Sequence, residues 1–389
     1  MLVSFTVENF CSIKDRVTLS MERIKRLKEL EENVVEDEGE NGLLKSAVIY
    51  GANASGKSNV VRALRYMISF IANSHKNRSD DDIDIYEPFL LNDKSREQPS
   101  LFEIKFIVDN KLYRYGFKIG DRIVHSEWLF EGNKNLFLRS GQEFELKGKG
   151  KVAKDIIEKT KENNLFLSAC DQWNVNFVVE LMKKFFNKVS VLASYEDKSL
   201  IESTHLFAKK SSANKRKLVE LLKFADTGIT NLEIKEKEDQ PENQILVDFL
   251  MQHGGFGDLN LALESDGTKK LFNIAGLYLE TLANDRILVV DEFDARLHTS
   301  LGRSLINMFH QNSRKAQLII ASHDTNIMTK DLFRRDQVWF TEKDNQQQTS
   351  LYSLAEFKIR NDEVYEKNYL EGKYGAIPFF GNFDFLDME

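Results

Sequence analysis

Residues 51–58 read GANASGKS, between the apolar run KSAVIYG and the segment NVVRALRYMISFIANS. This eight-residue stretch constrains the fold more than any other part of the chain. It fits GxxxxGK[ST], and its flanks fix what surrounds it. KSAVIYG reads as a buried strand, while Val60, Leu64, Met67, Ile68 and Ile71 share one helical face. A strand running through a glycine loop into a helix can cradle an anion. The glycines let the backbone curl round phosphate oxygens, and the helix N-terminus adds positive potential. Lys57 would reach the β- and γ-phosphates and Ser58 would hold Mg²⁺. Gly51, Asn53, Ala54, Ser55, Gly56, Lys57, Ser58 and the adjoining Asn59 are therefore the candidate nucleotide-binding residues.

Two later apolar runs end in chemistry-bearing residues. ILVVDEF delivers Asp291 and Glu292 to the end of a buried strand. An acid there can face the metal of a phosphate loop, which assigns Asp291 to the metal's water shell. Glu292 would polarise an attacking water as general base. LIIASHD repeats the design with His323, placed to hydrogen-bond a γ-phosphate and sense its loss.

The rest of the chain sets the frame. LVSFTVENF alternates as a strand, and the charged stretch 22–46 reads as a surface excursion. From Leu101 the period becomes two, with Phe102, Ile104, Phe106 and Val108 on one face, so an antiparallel sheet is expected. Residues 151–228 read as mainly helical. The final apolar runs, including DQVWF, read as parallel strands between helices. The fold class is α/β, a phosphate-loop head with an antiparallel β subdomain and a helical insertion. The expected division is 1–150, then 151–235 for the insertion, then 236–389. Two distant cysteines fit a reducing cytoplasm. MLVSFTVENF lacks a basic region followed by an apolar core, and no apolar run approaches the ~18 residues of a membrane span. The net charge of −7 means that nucleic-acid binding would need a local basic patch.

LALESDGTKKL, residues 261–271, begins a helix with Ser265 or Asp266 as cap, yet places the poor helix former Gly267 at that start. Asp291 follows Ser265 by 26 residues and His323 follows Asp291 by 32. That order and spacing resemble ABC-type ATPase heads. In those heads a serine–glycine signature binds the γ-phosphate held by a partner subunit's phosphate loop. The resemblance gives Ser265 and the Gly267 amide to phosphate oxygens, with Lys269 or Lys270 adding charge, and makes hydrolysis the work of two chains.

Together, the ENF start, GANASGKSN, ESDGTKKLF, VVDEFDARLH and ASHD resemble the RecF–SMC–OLD group of ABC-type ATPases. SDGTKKLF, the LH after the acid pair and the tail YLEGKYGAIP are most similar to abortive-infection ATPases of the AbiL and RloA type and to the AriA ATPase of the PARIS system. The resemblance implies ATP and Mg²⁺ as ligands, slow hydrolysis, a homodimer or higher homo-oligomer, and no membrane. It further implies an anti-phage system in which a phage protein or DNA triggers the ATPase to control a toxic partner, often a toprim nuclease. Only about 60 residues follow ASHD, too few for a toprim domain, so a nuclease or toxin effector is expected as a separate chain. The alternative is a DNA-repair clamp of RecF or SMC type that grips duplex DNA.

Several placements stay open in the sequence. Gln172 in LFLSACDQWN is offered as the family's glutamine-loop contact to Mg²⁺ and water, or as a polar helix end. His298, in the dimer-contact loop with Arg296 and Leu297, either bridges two nucleotide sites or caps a turn. Asp82 and Asp84 read as a solvated acidic loop rather than a metal site, and Lys209–Lys217 as a solvated helix or a DNA or partner contact.

Overall fold

The computed structural model describes residues 1–78, 83, 86–193, 198–237, 246–360 and 363–378. Asp82 and Asp84 lie outside them.

Two sheets sandwich the helix that follows the phosphate loop. The first has seven antiparallel strands, in the order Glu143–Leu146, Lys134–Ser140, Val124–Glu131, Lys111–Ile119, Ser100–Val108, Leu2–Glu8 and Val17–Ser20. Period two puts Phe102, Ile104 and Phe106 in its core, each at most 1% exposed. The register sets Phe102 opposite Phe117, and these rings meet Tyr66 and Phe70 of helix Lys57–Asn73 at 5.1 and 5.6 Å.

The second sheet runs Val189–Leu192, Ile287–Val290, Gln317–Ala321, Ser46–Tyr50, Val338–Lys343 and Thr349–Ser353, all parallel except the last. Its central strands are buried on both faces, so beyond the opening residues Ser46 and Gln317 they are apolar rather than alternating. Ala47, Ile49, Val289 and Ile319 pack towards helix Lys57–Asn73. Val48, Tyr50, Leu288, Val290, Leu318 and Ile320 pack towards helices Asp266–Ala283 and Thr299–Asn312. Parallel strands bring their carboxyl ends to one edge, where α/β sheets bind ligands. Here that edge carries Gly51, Asp291 and Ser322–His323.

The stretch 151–228 is not wholly helical. Val189–Leu192 is an edge strand of the parallel sheet, beside Ile287–Val290. The helices before it belong to the antiparallel sheet: buried Glu127 accepts the amides of Phe166 (2.6 Å) and Leu167 (2.9 Å), opening helix Phe166–Gln172. The helices after it pack on Asp266–Ala283. At that crossing a Cβ on Gly276 would lie 2.4 Å from the Thr204 Cα, so glycine is required.

The charged stretch 22–46 is docked rather than merely solvated. Arg334, 0% exposed, donates to the Leu27 carbonyl (3.2 Å), to the Glu29 carbonyl and to both carboxylate oxygens of Asp336. Asn33 donates to Leu332 and Gln337 from the other side. Among the described residues no helix is long and apolar enough to cross a membrane.

Candidate active site

The phosphate loop owes its shape to strands nearly 300 residues away. Gly51 has φ +154 and Gly56 φ +109. A Cβ on Gly56 would stand 2.2 Å from Thr349 Oγ1, and one on Gly51 2.4 Å from the Thr341 carbonyl oxygen. Ser55 is buried and shares a hydrogen bond of 2.7 Å with the Thr341 hydroxyl. Thr349 donates to the Ser55 carbonyl at 2.9 Å. Asn59 turns to Ser12 Oγ (2.6 Å), which also meets Thr349 Oγ1 (2.7 Å), so in this arrangement Asn59 braces the loop from behind. Asn53 and Ala54 are exposed at the crest, Ala54 in the left-handed region at φ +61.

Lys57 begins the helix and folds back over the loop, donating to the carbonyls of Gly51 (2.7 Å) and Ala52 (3.1 Å). Burial pulls its pKa down to about 8, against the carboxylates of Asp291, Asp294 and Glu292. Its charge thus sits in a nest built for anionic oxygens.

Asp291 is 7% exposed at the end of strand Ile287–Val290, with Ser58 beside its carboxylate. Burial raises the Asp291 pKa, opposed by Ser58 and by the Glu292 amide, which donates to Oδ1 at 3.1 Å. Ser58, Asp291 and Glu292 line one cleft of about 770 Å³ with Arg62, Arg65 and Asn73. Glu292 is exposed into it and sits at φ +50, a strained conformation that concentrates at functional sites. A hydroxyl beside a carboxylate is a hard-oxygen pair suited to Mg²⁺ shared with substrate phosphates. Among the described residues no three or more His, Cys, Asp or Glu side chains gather as a metal centre.

His323 faces the other side of the loop. Together with Gly51–Ser55, Thr341 and tail residues Tyr369, Leu370 and Ala376–Pro378, it lines a second cleft of about 730 Å³. Its pKa is lowered by burial and then by Lys57, so it stands beside the loop as a neutral imidazole. Asp294 is not among the candidates read from the sequence, yet its carboxylate accepts the His323 amide at 3.1 and 3.3 Å. Its signal was its place three residues after Asp291 in DEFDARLH. The tail, too, was singled out only by resemblance. Tyr369 donates to the Ala376 carbonyl (2.8 Å) and Tyr352 to the Tyr374 carbonyl (2.8 Å), folding it against the cleft.

The signature stretch begins helix Asp266–Ala283 as expected, with Ser265 as cap: its Oγ accepts the Thr268 amide at 3.2 Å. Ser265, Gly267 and Lys269 line neither cleft. Lys269 is partly exposed, 3.8 Å from Asp266. Lys270 is the correction: it is buried and directed to backbone carbonyls of residues 292–295, not offered to a ligand. His298 caps helix Thr299–Asn312, its Nδ1 accepting the Ser300 amide at 3.2 Å. Gln172 is exposed at the end of Phe166–Gln172 and lines neither cleft. Its helix is anchored where Ser168 holds His75 (3.0 Å), beyond the far end of the phosphate-loop helix. At 1.5 Å per residue, that is roughly 25 Å from Ser58. Lys209–Lys217 runs from the end of one helix into the next, Ser212–Phe224.

The fold matches solved structures of SMC heads. The SMC head bound to the C-winged helix domain of ScpA superposes with a TM-score of 0.50 at 14% identity, over 90% of this chain and 97% of that one. The SMC head domain from Thermotoga maritima gives 0.44 at 13% identity, over 92% and 99%. A third head, from Pyrococcus furiosus, with an extended coiled coil and bound to the C-terminal domain of ScpA, gives 0.46 at 14%, over 96% and 98%. The first of these superpositions shows that the fold is that of an SMC head. No curated protein matches the chain. The family described as "AAA domain, putative AbiEii toxin, Type IV TA system" matches residues 46–329, the span from the phosphate-loop strand past the histidine, and the chain belongs to that family.

Proposed function

We propose that this chain binds ATP with Mg²⁺ at Gly51–Ser58, hydrolyses it slowly, and closes as a homodimer around the nucleotide to control a separate effector in anti-phage defence. The observation that carries the reading is that Ser58, at the end of the phosphate loop, lines one cleft with Asp291 and Glu292. That is a metal-and-base arrangement at the end of a phosphate loop.

Lys57 exchanges the Gly51 and Ala52 carbonyls for phosphate oxygens. Ser58 and Asp291 would hold Mg²⁺, which would supply charge neutralisation at the phosphates. Glu292 orients and deprotonates the attacking water, and His323 holds the γ-phosphate. Ser265 and Gly267 lie outside their own chain's clefts, which supports a role at a partner's nucleotide. The family's description, which names a putative toxin and a toxin–antitoxin system, supports a defence setting, and the effector we propose is a nuclease or toxin on a separate chain.

The test is light scattering of Glu292→Gln with and without Mg-ATP. Mass should double only with ATP, and Ser265→Arg should abolish the change. A chain that stays monomeric refutes the dimer reading. Absence of any ATP turnover in the unmodified protein refutes the hydrolytic one.

A further inference from the structure

The signature helix grips the turn after the acid pair at three points. Lys270, 3% exposed, sends its ammonium to the carbonyls of Glu292 (3.0 Å), Phe293 (2.8 Å) and Ala295. Gly267 backs onto the Arg296 carbonyl, where a Cβ would lie 3.0 Å from the oxygen. The Arg296 guanidinium stands 3.6 Å from the Asp266 carboxylate. The turn holds two non-glycine residues in the left-handed region, Glu292 at φ +50 and Arg296 at φ +61. Such a conformation persists only where its surroundings hold it. Three carbonyl dipoles converging on one point repel one another, and an ammonium with three donors is the group that satisfies them together. The same turn reaches the histidine. Asp294 accepts the His323 amide, and the Phe293 amide donates to the Ala321 carbonyl at 3.0 Å.

We infer that Lys270 is a positioning residue joining the signature helix to the Glu292 turn, so that contact of Ser265 and Gly267 with one nucleotide sets Glu292 and His323 at the other. The inference rests on the proposed role of the signature stretch at a partner's nucleotide. Ser265 and Lys270 are separated by about 7.5 Å of helix axis, at 1.5 Å per residue. A helix is stiff over that length. A shift of its N-terminus is therefore delivered to the three carbonyls almost whole, and Glu292 moves with them.

The experiment compares Lys270→Met, which keeps the stem without the donors, and Lys270→Arg, which restores donors. Turnover, KM, the Hill coefficient for ATP and the affinity for a fluorescent ATP analogue are measured on the full chain. In Lys270→Met, analogue affinity should stay within about twofold while kcat falls about 100-fold, the effect of roughly an ångström's misplacement of a catalytic group. The Hill coefficient should fall to one, and Lys270→Arg should recover part of both. A folded Lys270→Met with unchanged kcat and Hill coefficient overturns the inference. So does a parallel loss of kcat and affinity, which marks a purely structural lysine. Should Lys270→Met not fold, hydrogen exchange of amides 292–296 in the Glu292→Gln protein decides: ATP-driven association should slow it, and unchanged exchange despite association overturns the coupling alone. No association at all overturns both the coupling and the dimer reading beneath it.

Discussion

Lys57 should take up a proton when nucleotide binds. Buried over the loop with two carbonyls for company, its pKa is about 8 rather than the usual 10.5. Phosphate oxygens in place of those carbonyls favour the charged form and return the pKa to its ordinary range or above. Uptake per site should then be about 0.1 proton at pH 7, about 0.5 at pH 8 and about 0.9 at pH 9. The sign follows directly. Above pH 8 the free protein holds Lys57 neutral and binding must recruit the proton, so affinity falls as pH rises. The limiting slope is about 1.4 kcal/mol, a factor of about ten, per pH unit. Below pH 7 both states carry the charge and the dependence vanishes. Titration calorimetry in two buffers of equal pH and different ionisation enthalpy reads the uptake directly. Lys57→Arg, permanently charged, is the control: it should bind with almost no uptake and a flat pH profile. Lys270, pulled by burial to about 7, titrates nearby, and the arginine control separates it. Uptake near zero at pH 8 to 9, or equal uptake in Lys57→Arg, would refute the argument.

Three further outcomes are expected. Gly56→Ala should abolish nucleotide binding while far-UV circular dichroism is retained, because the new Cβ would fall 2.2 Å from Thr349 Oγ1 at a φ of +109. Asp294→Ala should free the His323 amide and lower kcat about tenfold at unchanged ATP affinity, the worth of one charge-assisted hydrogen bond, as steady-state kinetics would read. His310, bonded to Ser46 Oγ at 2.7 Å, has its pKa pushed down to about 3 by burial and then by Lys45. Between pH 6.5 and 3 only the unfolded chain takes up that proton. Stability should therefore drop by about 1.4 kcal/mol per pH unit there, beyond the loss shown by His310→Gln in urea titrations.

Much of the architecture was readable because it is written locally. A phosphate loop between an apolar strand and an apolar-faced helix, and apolar runs ending in an acid pair and a histidine, need no partner to be recognised. Features that depend on distant partners were hidden. Val189–Leu192, VSVL, is only four residues long, too short for its brief alternation to mark a strand. Nothing in residues 22–46 shows that Arg334, about 300 residues later, will bind their carbonyls. Lys269 and Lys270 look interchangeable as neighbours. Helical phase separates them: Lys270 precedes Ile274 by four residues and Tyr278 by eight, on the buried face, while Lys269 turns outward. Gln172 rests on the resemblance to the family's glutamine loop, and its helix is anchored beyond the far end of the phosphate-loop helix, a placement that only the fold shows. Asp294 could have been found from its spacing, but its work on a backbone amide 29 residues away needed the fold.

The threonines behind the phosphate loop carry a consequence for how the chain matures. Thr341 and Thr349 touch Ser55 across 286 and 294 residues of sequence, and Thr349 closes on Ser12 across 337. Contacts so remote form late, after most loop-closure entropy has been met. During synthesis the GANASGKS segment leaves the ribosome 286 to 294 residues ahead of the threonines that support it. A nascent chain therefore lacks its finished cradle until their hairpin docks, and truncated products stop short of nucleotide competence. The chain would thus be unable to grip a nucleotide before that hairpin has been made.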